Sequence, residues 1–314
     1  MLDRRRFLAT AASAAMIPAL PARAASPADS RVELTLAGIA EELLRDHPEN
    51  ATTLGLDNGA RAALKSRLSD RSLAGKAYEA AEVRARLARL AAVPRAGLGP
   101  AALLDLEVVE TAHRIAADGF RFPYGDVMTL NQNLSYRNSP YAVAQNFGAF
   151  VETPDLLDSN HVVATPADAE AYLARMQAYA RQLDGETERL RHDAGIGVVL
   201  PDFLLDKTLR QMKAARGRPI REWGLVTSLG RRTAAMHADY AGKAAAIAER
   251  EVAPAMDRQL AELERQRARA DSRAGCWRLP EGGAFYAWCL RAGTTTNRTP
   301  DEVHRMGLEQ LAEL

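Results

Sequence analysis

The chain has 314 residues, of which 47% are hydrophobic and 26% charged, so it can form one large domain or two ordinary ones with a sizeable core. Its formal net charge of +1 gives no bulk electrostatic reason to expect binding to nucleic acid, and membrane contact is expected only during export. The two cysteines, Cys276 and Cys289, exclude a disulfide framework and a four-cysteine zinc site. The sequence is consistent with two arrangements: a single disulfide bond between these cysteines, or a free Cys289 on a buried helix face.

The first 24 residues predict an export signal that takes no part in the fold. A basic head precedes an apolar run over residues 9–20 that is too short to be a permanent bilayer span. Small residues before Ala25 predict cleavage after Ala24. The head resembles the twin-arginine signal, in which two arginines, any residue and Phe-Leu follow one another. The residues that match are Arg4, Arg5, Phe7 and Leu8. This pattern predicts a folded protein exported to the periplasm or secreted; a plain secretory signal is the alternative.

Helical periodicity runs through the remaining residues 25–314 and predicts a mainly α fold. Predicted helices cover residues 30–46, 75–92, 101–117, 166–191 and 201–215. Residues 220–269 carry an almost continuous helical pattern in which Pro254 is expected to start a new segment. Residues 48–56 are expected to form a loop or short turn, and the charged run 262–273 a solvated helix face.

Residues 119–150 hold seven of the eighteen aromatic side chains in the chain, mixed with asparagines and prolines. The composition predicts an ordered, partly irregular packing segment. A role as the wall of a groove is the functional alternative.

Two helices are predicted in the last forty residues, on either side of a Thr-rich turn. The first has an apolar face made by Phe285, Trp288, Cys289 and Leu290. The second begins with Thr299 as N-cap and Pro300 at its first position. Its apolar residues recur at helical spacing and predict a face that needs a partner; they are Val303, Met306, Leu308, Leu311 and Leu314. Because this periodicity continues to the last residue, we expect an interrupted fold.

The Thr-rich turn is the candidate binding site that the sequence offers. Thr294, Thr295 and Thr296 precede a helix N-terminus, and His304 lies in the helix that follows. Free N–H groups at such an end bind carboxylates or carbonyl groups, so these four residues are predicted to contact a ligand. The alternative is an ordinary helix cap.

No metal or nucleotide motif is present, and no two of the six histidines stand four residues apart. Glu110 and His113 form one Glu-x-x-His, the spacing that di-iron helical bundles use twice. A di-iron protein is therefore a weak alternative. The favoured interpretation of His113 is an ordinary histidine that is solvated or lies at the edge of the core.

Four stretches resemble the bacterial family known as domain of unknown function 885. They are HPENATTLGL (residues 47–56), TPADAEAYLARMQAYARQLD (165–184), DAGIGVVLPDFLLDK (193–207) and GCWRLPEGGAFYAWCLRAGTTTNRTPDEVHRMGLEQL (275–311). The last is the most specific, because its Leu-Pro-x-Gly, Tyr-x-Trp, Thr-Thr-Thr and Thr-Pro-Asp-Glu-Val-His elements occur in order. The family resembles helical zinc peptidases of the gluzincin type, whose His-Glu-x-x-Pro-Gly-His helix lies downstream of these stretches.

The resemblance implies that residues 25–314 are the N-terminal half of such a protein, a multi-helix array that forms part of a larger helical zinc-peptidase-like fold. No residue here matches the zinc ligands or the general base, so we expect no catalytic residue and no cofactor in this chain, and zinc only in a full-length member. A peptide substrate or a separately encoded C-terminal half is the expected partner. The alternative is a non-catalytic, exported helical binding protein.

Overall fold

The computed structural model describes residues 26–130 and 138–314, so the predicted export signal and its cleavage site lie outside the described residues. Within them the fold is mainly α, as predicted, with twelve α-helices and no β-strand. The helices are α1 (Pro27–Asp46), α2 (Pro48–Thr53), α3 (Leu73–Ala91), α4 (Pro100–Gly119), α5 (Ala149–Asp155), α6 (Pro166–Gly195), α7 (Asp202–Arg216), α8 (Gly224–Arg232), α9 (Tyr240–Ile247), α10 (Ala253–Arg267), α11 (Gly282–Thr294) and α12 (Pro300–Glu313). None of these helices has both the length and the apolar character that crossing a bilayer requires.

The long helix α6 is the centre of the main core. Thr165 caps it and forms a reciprocal capping box with Asp168, which satisfies N–H groups at the start of the helix. Tyr172 and Tyr179 on this helix are fully buried. Helices α8, α9 and α10 pack against it, and α7 packs against α10. Because α6 is covered on several sides, even polar residues along it are buried.

Helices α1, α3 and α4 form a second layer around a small apolar cluster. Arg86 on α3 is only 2% exposed, and its guanidinium is ion-paired with Glu42 and Asp46 of α1. Two carboxylates around one buried arginine keep its charge compensated, which a buried ion requires.

An aromatic cluster joins the segment after α4 to α11. The Phe122 and Phe285 rings lie edge to face with centroids 5.2 Å apart, and the Trp288 indole N–H donates to the Ile115 carbonyl at 2.8 Å. A Cβ on Gly119 would lie 2.2 Å from the Trp288 ring, so only glycine permits this approach of α4 and α11. The described part of residues 119–150 is thus the packing segment that the sequence predicted.

Three local predictions were wrong in whole or in part. Residues 48–53 form the helix α2, with Pro48 in its first turn, and only then does the chain turn at Gly55, where φ is +68°. Residues 220–269 are divided into α8, α9 and α10, although α10 does begin beside Pro254, after a π-helical turn over Ala248–Val252. Glu262, expected on a solvated face, is 4% exposed, because α10 packs against both α6 and α7.

The C-terminal helix begins as predicted. Thr299 caps α12 and forms a capping box with Glu302. No residue of α12 is buried, and its apolar side chains are exposed, with Leu308 55% and Leu311 70% accessible. The described part of the chain therefore leaves this face without a partner, as its periodicity predicted.

Candidate binding cleft

A cavity of about 530 Å³ opens between the N-terminal layer and α6. Its walls come from α2, the loop before α3, α3 itself, the segment after α4, and α5 and α6. We call this cavity the cleft. Since the walls belong to elements far apart in sequence, the cleft is created by the tertiary fold and not by a local motif.

Arg71 organises the floor of the cleft. Its guanidinium donates to Glu186 Oε1 at 2.9 Å and to Glu152 Oε2 at 2.6 Å, and so links the loop before α3 with α6 and α5. Glu186 is 1% exposed and also accepts from the Ala149 backbone N–H at 2.8 Å. Burial raises the pKa of Glu186 although Arg71 opposes this. Among the described residues, Arg71 is thus the cation that Glu186 and Glu152 share in a desolvated charge network.

Glu49 is a third carboxylate near Arg71. It accepts hydrogen bonds from the Ser69 backbone N–H at 2.9 Å and from the Ser69 hydroxyl at 2.8 Å. Burial opposes its ionisation, but Arg71 and the bonds from Ser69 outweigh burial and hold its pKa below the usual value. Glu49 is thus a fixed negative charge in the cleft wall.

Two cations fix the segment that follows α4. The Lys76 ammonium donates to the carbonyl of Tyr124 at 2.7 Å, and Arg189 donates to the Gly125 carbonyl at 2.8 Å and to Asp126 Oδ1 at 2.6 Å. Burial lowers the pKa of Lys76 to about 8. These bonds satisfy backbone carbonyls, so both cations position the cleft wall.

In the upper wall of the cleft, the negative charge of the Glu79 carboxylate is only weakly compensated by nearby positive charge. Glu79 on α3 lies 3.9 Å from the His47 ring nitrogen, and both side chains are about one quarter exposed. Burial raises the pKa of Glu79. The acidic residues that line the cleft are Glu49, Asp70, Glu79, Asp126, Glu152 and Asp155, against the basic residues Arg71, Lys76 and Arg189. Six carboxylates against three cations give the cleft an acidic excess.

The structure does not bring the four sequence-predicted ligand residues into one cavity. Thr294 ends α11, its hydroxyl donates to the Leu290 carbonyl at 2.8 Å, and Thr295 adopts the left-handed conformation with φ +54°. Thr296 lines a separate cavity of about 420 Å³ beside α11, and the other three residues line neither this cavity nor the cleft. His304 is exposed on α12. A ligand role for these residues stays a prediction.

The donors needed for a metal ion do not come together within residues 26–130 and 138–314, where no group of three or more His, Cys, Asp or Glu side chains is suited to hold one. Glu110 is ion-paired with Arg95 and Arg114, and the His113 ring nitrogen Nδ1 lies 2.7 Å from the Val109 carbonyl. The zinc that the family resemblance implies and the di-iron alternative therefore find no donor set among these residues, and we derive no chemical step through a metal.

Both cysteine thiols are free. Burial raises the pKa of Cys276 and raises that of Cys289 to about 12, and the Cys289 thiol donates to the Asn138 carbonyl at 3.3 Å. Each thiol is thus held in its protonated, poorly reactive form.

Sequence reasoning missed the charged floor of the cleft. Glu186 stands on α6 three residues after Leu183 and four before Leu190, which are buried core residues, and Arg189 follows Glu186 by three residues. Charged residues on the same stripe as core leucines are a signal for buried ion pairs. Arg71 carries no such signal, because its loop has no periodicity.

Comparison with known proteins gives one family and one fold. The family model described as "Bacterial protein of unknown function (DUF885)" matches residues 48–314. No curated protein sequence matches the chain. A crystal structure described as "the putative lipoprotein from Colwellia psychrerythraea" is similar, with a TM-score of 0.81 and 16% identity over 91% of this chain. The match covers 49% of that protein, so this chain spans about half of its length.

Proposed function

Since the chain belongs to the bacterial family of unknown function DUF885, we propose that it is the cleft-bearing helical part of an exported zinc-dependent peptidase, and that it binds peptides without hydrolysing them alone. The observation that carries this proposal is the cleft itself. It is large enough for several residues of an extended peptide, and buried ion pairs hold its charged walls in place.

The charge of the cleft supports a cationic peptide as ligand. Arg71 and Arg189 are already paired with carboxylates of this chain, and Lys76 is bonded to backbone carbonyls. Glu79 has a histidine 3.9 Å away, and Arg189 is a further positive charge that acts on it. A lysine or arginine side chain, or a free peptide amino group, would compensate the acidic excess.

Two observations support export. The twin-arginine pattern at Arg4 and Arg5 and the description of the structural neighbour as a lipoprotein both favour an exported protein. The zinc-dependent activity rests on the family resemblance, since no metal donor set is present among residues 26–130 and 138–314.

Peptide binding tests the cleft. Fluorescein-labelled octapeptides rich in lysine and in glutamate are titrated with the purified protein, and binding is followed by fluorescence polarisation. We expect the lysine-rich peptide to bind more tightly. The variant Glu79→Gln should weaken it by roughly threefold to tenfold, because one facing charge is lost.

The matched control is Glu107→Gln, which removes a carboxylate from the exposed surface of α4 outside the cleft. It should leave the affinity unchanged. Equal affinity for the two peptides, or equal losses in both variants, would count against the cleft as the binding site.

The peptidase assignment has its own test. A second polypeptide that carries a His-Glu-x-x-Pro-Gly-His helix is expressed with this chain, and the purified mixture is assayed with a quenched fluorescent peptide and zinc. We expect hydrolysis only when both polypeptides are present. The alternative, a non-catalytic binding protein, is favoured by the fully built floor of the cleft and predicts peptide binding with no hydrolysis in any mixture.

A further inference from the structure

We propose that the separate cavity beside α11 binds a small organic oxyanion, a carboxylate or phosphate attached to an apolar body. This cavity, here called the arginine pocket, has a volume of about 420 Å³ and shares no lining residue with the cleft. The inference therefore does not rest on the proposed function.

Three arginines from different parts of the chain converge on the arginine pocket. Arg121 follows the end of α4, Arg291 lies on α11, and Arg298 lies in the connection to α12. Asp118 is the one acidic side chain that lines the pocket. Three guanidinium groups against one carboxylate leave an excess of two positive charges.

The carboxylate of Asp118 already has a partner within this chain. It is ion-paired with Arg291. The Arg291 Nε atom is buried and has no hydrogen-bond partner in the described part of the chain, so Asp118 does not satisfy this guanidinium completely. The ion pair fixes the position of Arg291 on the pocket wall, and it leaves Arg121 and Arg298 without a carboxylate from the pocket wall.

Arg121 and Arg298 have no ion-pair partner among the described residues. The Arg121 guanidinium lies 4.7 Å from the centre of the Phe122 ring, a contact that orients it without neutralising it. Glu302 is a counter-charge that Arg298 acts on, but the pKa of Glu302 is lowered first by the bonds from Thr299 and only then by Arg298. Guanidinium groups bind carboxylates and phosphates through paired N–H donors, so these two arginines suit an oxyanion.

The rest of the pocket wall suits an apolar group. Trp288 is buried against Gly119 and held by its bond to the Ile115 carbonyl, and Ala284 and Ala287 lie on the same helix. This wall is rigid because no atom can be added at Gly119 without displacing the indole. A ligand with an aromatic or aliphatic body and one anionic end would contact both this apolar wall and the arginines.

Isothermal titration calorimetry with four probes tests the proposal on the purified protein. Phenylacetate carries a carboxylate, phenyl phosphate a phosphate, phenylacetamide has no charge, and inorganic phosphate has no apolar body. We expect one or both aromatic anions to bind, with weakening at higher NaCl, while phenylacetamide does not. The tighter of the two anions identifies the oxyanion, and weaker binding of inorganic phosphate supports the role of the apolar wall.

Single substitutions locate the site. Arg121→Ala and Arg298→Ala should each weaken binding roughly tenfold, since each removes a charge-assisted hydrogen bond. Both residues are exposed, so the variants should fold, which circular dichroism checks. The matched control is Arg305→Ala on α12, which removes the same charge outside the pocket and should change the affinity by less than about twofold.

Three results would overturn the proposal. They are the absence of binding by both aromatic anions up to about 10 mM, equal binding of the neutral amide, and an equal loss in Arg305→Ala. The first would leave the pocket without a ligand of this class. The other two would show that the arginines do not recognise the anion.

Discussion

Arg71 and Glu186 form an ion pair of 2.9 Å that joins the loop before α3 to the central helix α6. The arginine is 16% exposed and the glutamate 1%, so water compensates little of either charge. The same guanidinium is paired with Glu152 on α5 at 2.6 Å. One side chain thus holds three walls of the cleft together.

Replacement of Arg71 by alanine should destabilise the protein strongly. Glu186 would lose the cation it is paired with while staying buried in the floor of the cleft, and leaving a buried charge without its partner costs about 3–5 kcal/mol. The free energy of unfolding in urea measures this. Arg84→Ala, an exposed arginine on α3, is the control and should change it by less than about 0.5 kcal/mol. A loss below about 1 kcal/mol in Arg71→Ala would contradict the role given to this residue.

Acid should weaken the fold through His161. Its two ring nitrogens lie 3.0 Å from the Asp168 carbonyl oxygen and 3.0 Å from Arg175 Nη1. The Arg175 N–H donates to Nδ1, so the ring is neutral with its proton on Nε2. Burial lowers the pKa of His161 to about 4. In the unfolded chain its pKa is near 6.5, so the unfolded state binds the proton first as the pH falls.

The stabilising contribution of neutral His161 is therefore complete above pH 6.5 and is lost as the pH falls from about 6.5 to about 4. Between pH 7 and pH 5 this loss amounts to roughly 2 kcal/mol. The variant His161→Gln should show a correspondingly smaller drop in the free energy of unfolding over the same interval. Identical pH dependence in the two proteins would show that His161 is not the responsible group.

Two glycine-to-alanine substitutions in helices should have opposite effects. A methyl group at Gly119 would lie 2.2 Å from the Trp288 ring and force α4 and α11 apart, at a cost of about 1–3 kcal/mol. At Gly38 in α1 the same methyl group meets no atom within 4 Å and should stabilise the helix by about 0.5–1 kcal/mol. Thermal unfolding compares them. Equal shifts in the two variants would mean that Gly119 is not at a close contact.

The local signals in the sequence predicted the helices well where capping and periodicity agree. Thr165 with Asp168, and Thr299 with Glu302, both form the capping boxes that start α6 and α12. The break within residues 220–269 was missed, because residues 233–239 between α8 and α9 contain neither Gly nor Pro to mark it. The cleft was missed for a different reason: the partners of Arg71 lie 81 and 115 residues away, a separation that no local pattern encodes.

We propose that this chain presents a peptide-binding cleft and does not itself hold a catalytic metal. The most direct test is the zinc content of the purified, dialysed protein by atomic emission, measured together with hydrolysis of a quenched peptide at added zinc. The account predicts no stoichiometric zinc and no hydrolysis above the buffer rate. One tightly held zinc per chain with peptide cleavage would contradict it.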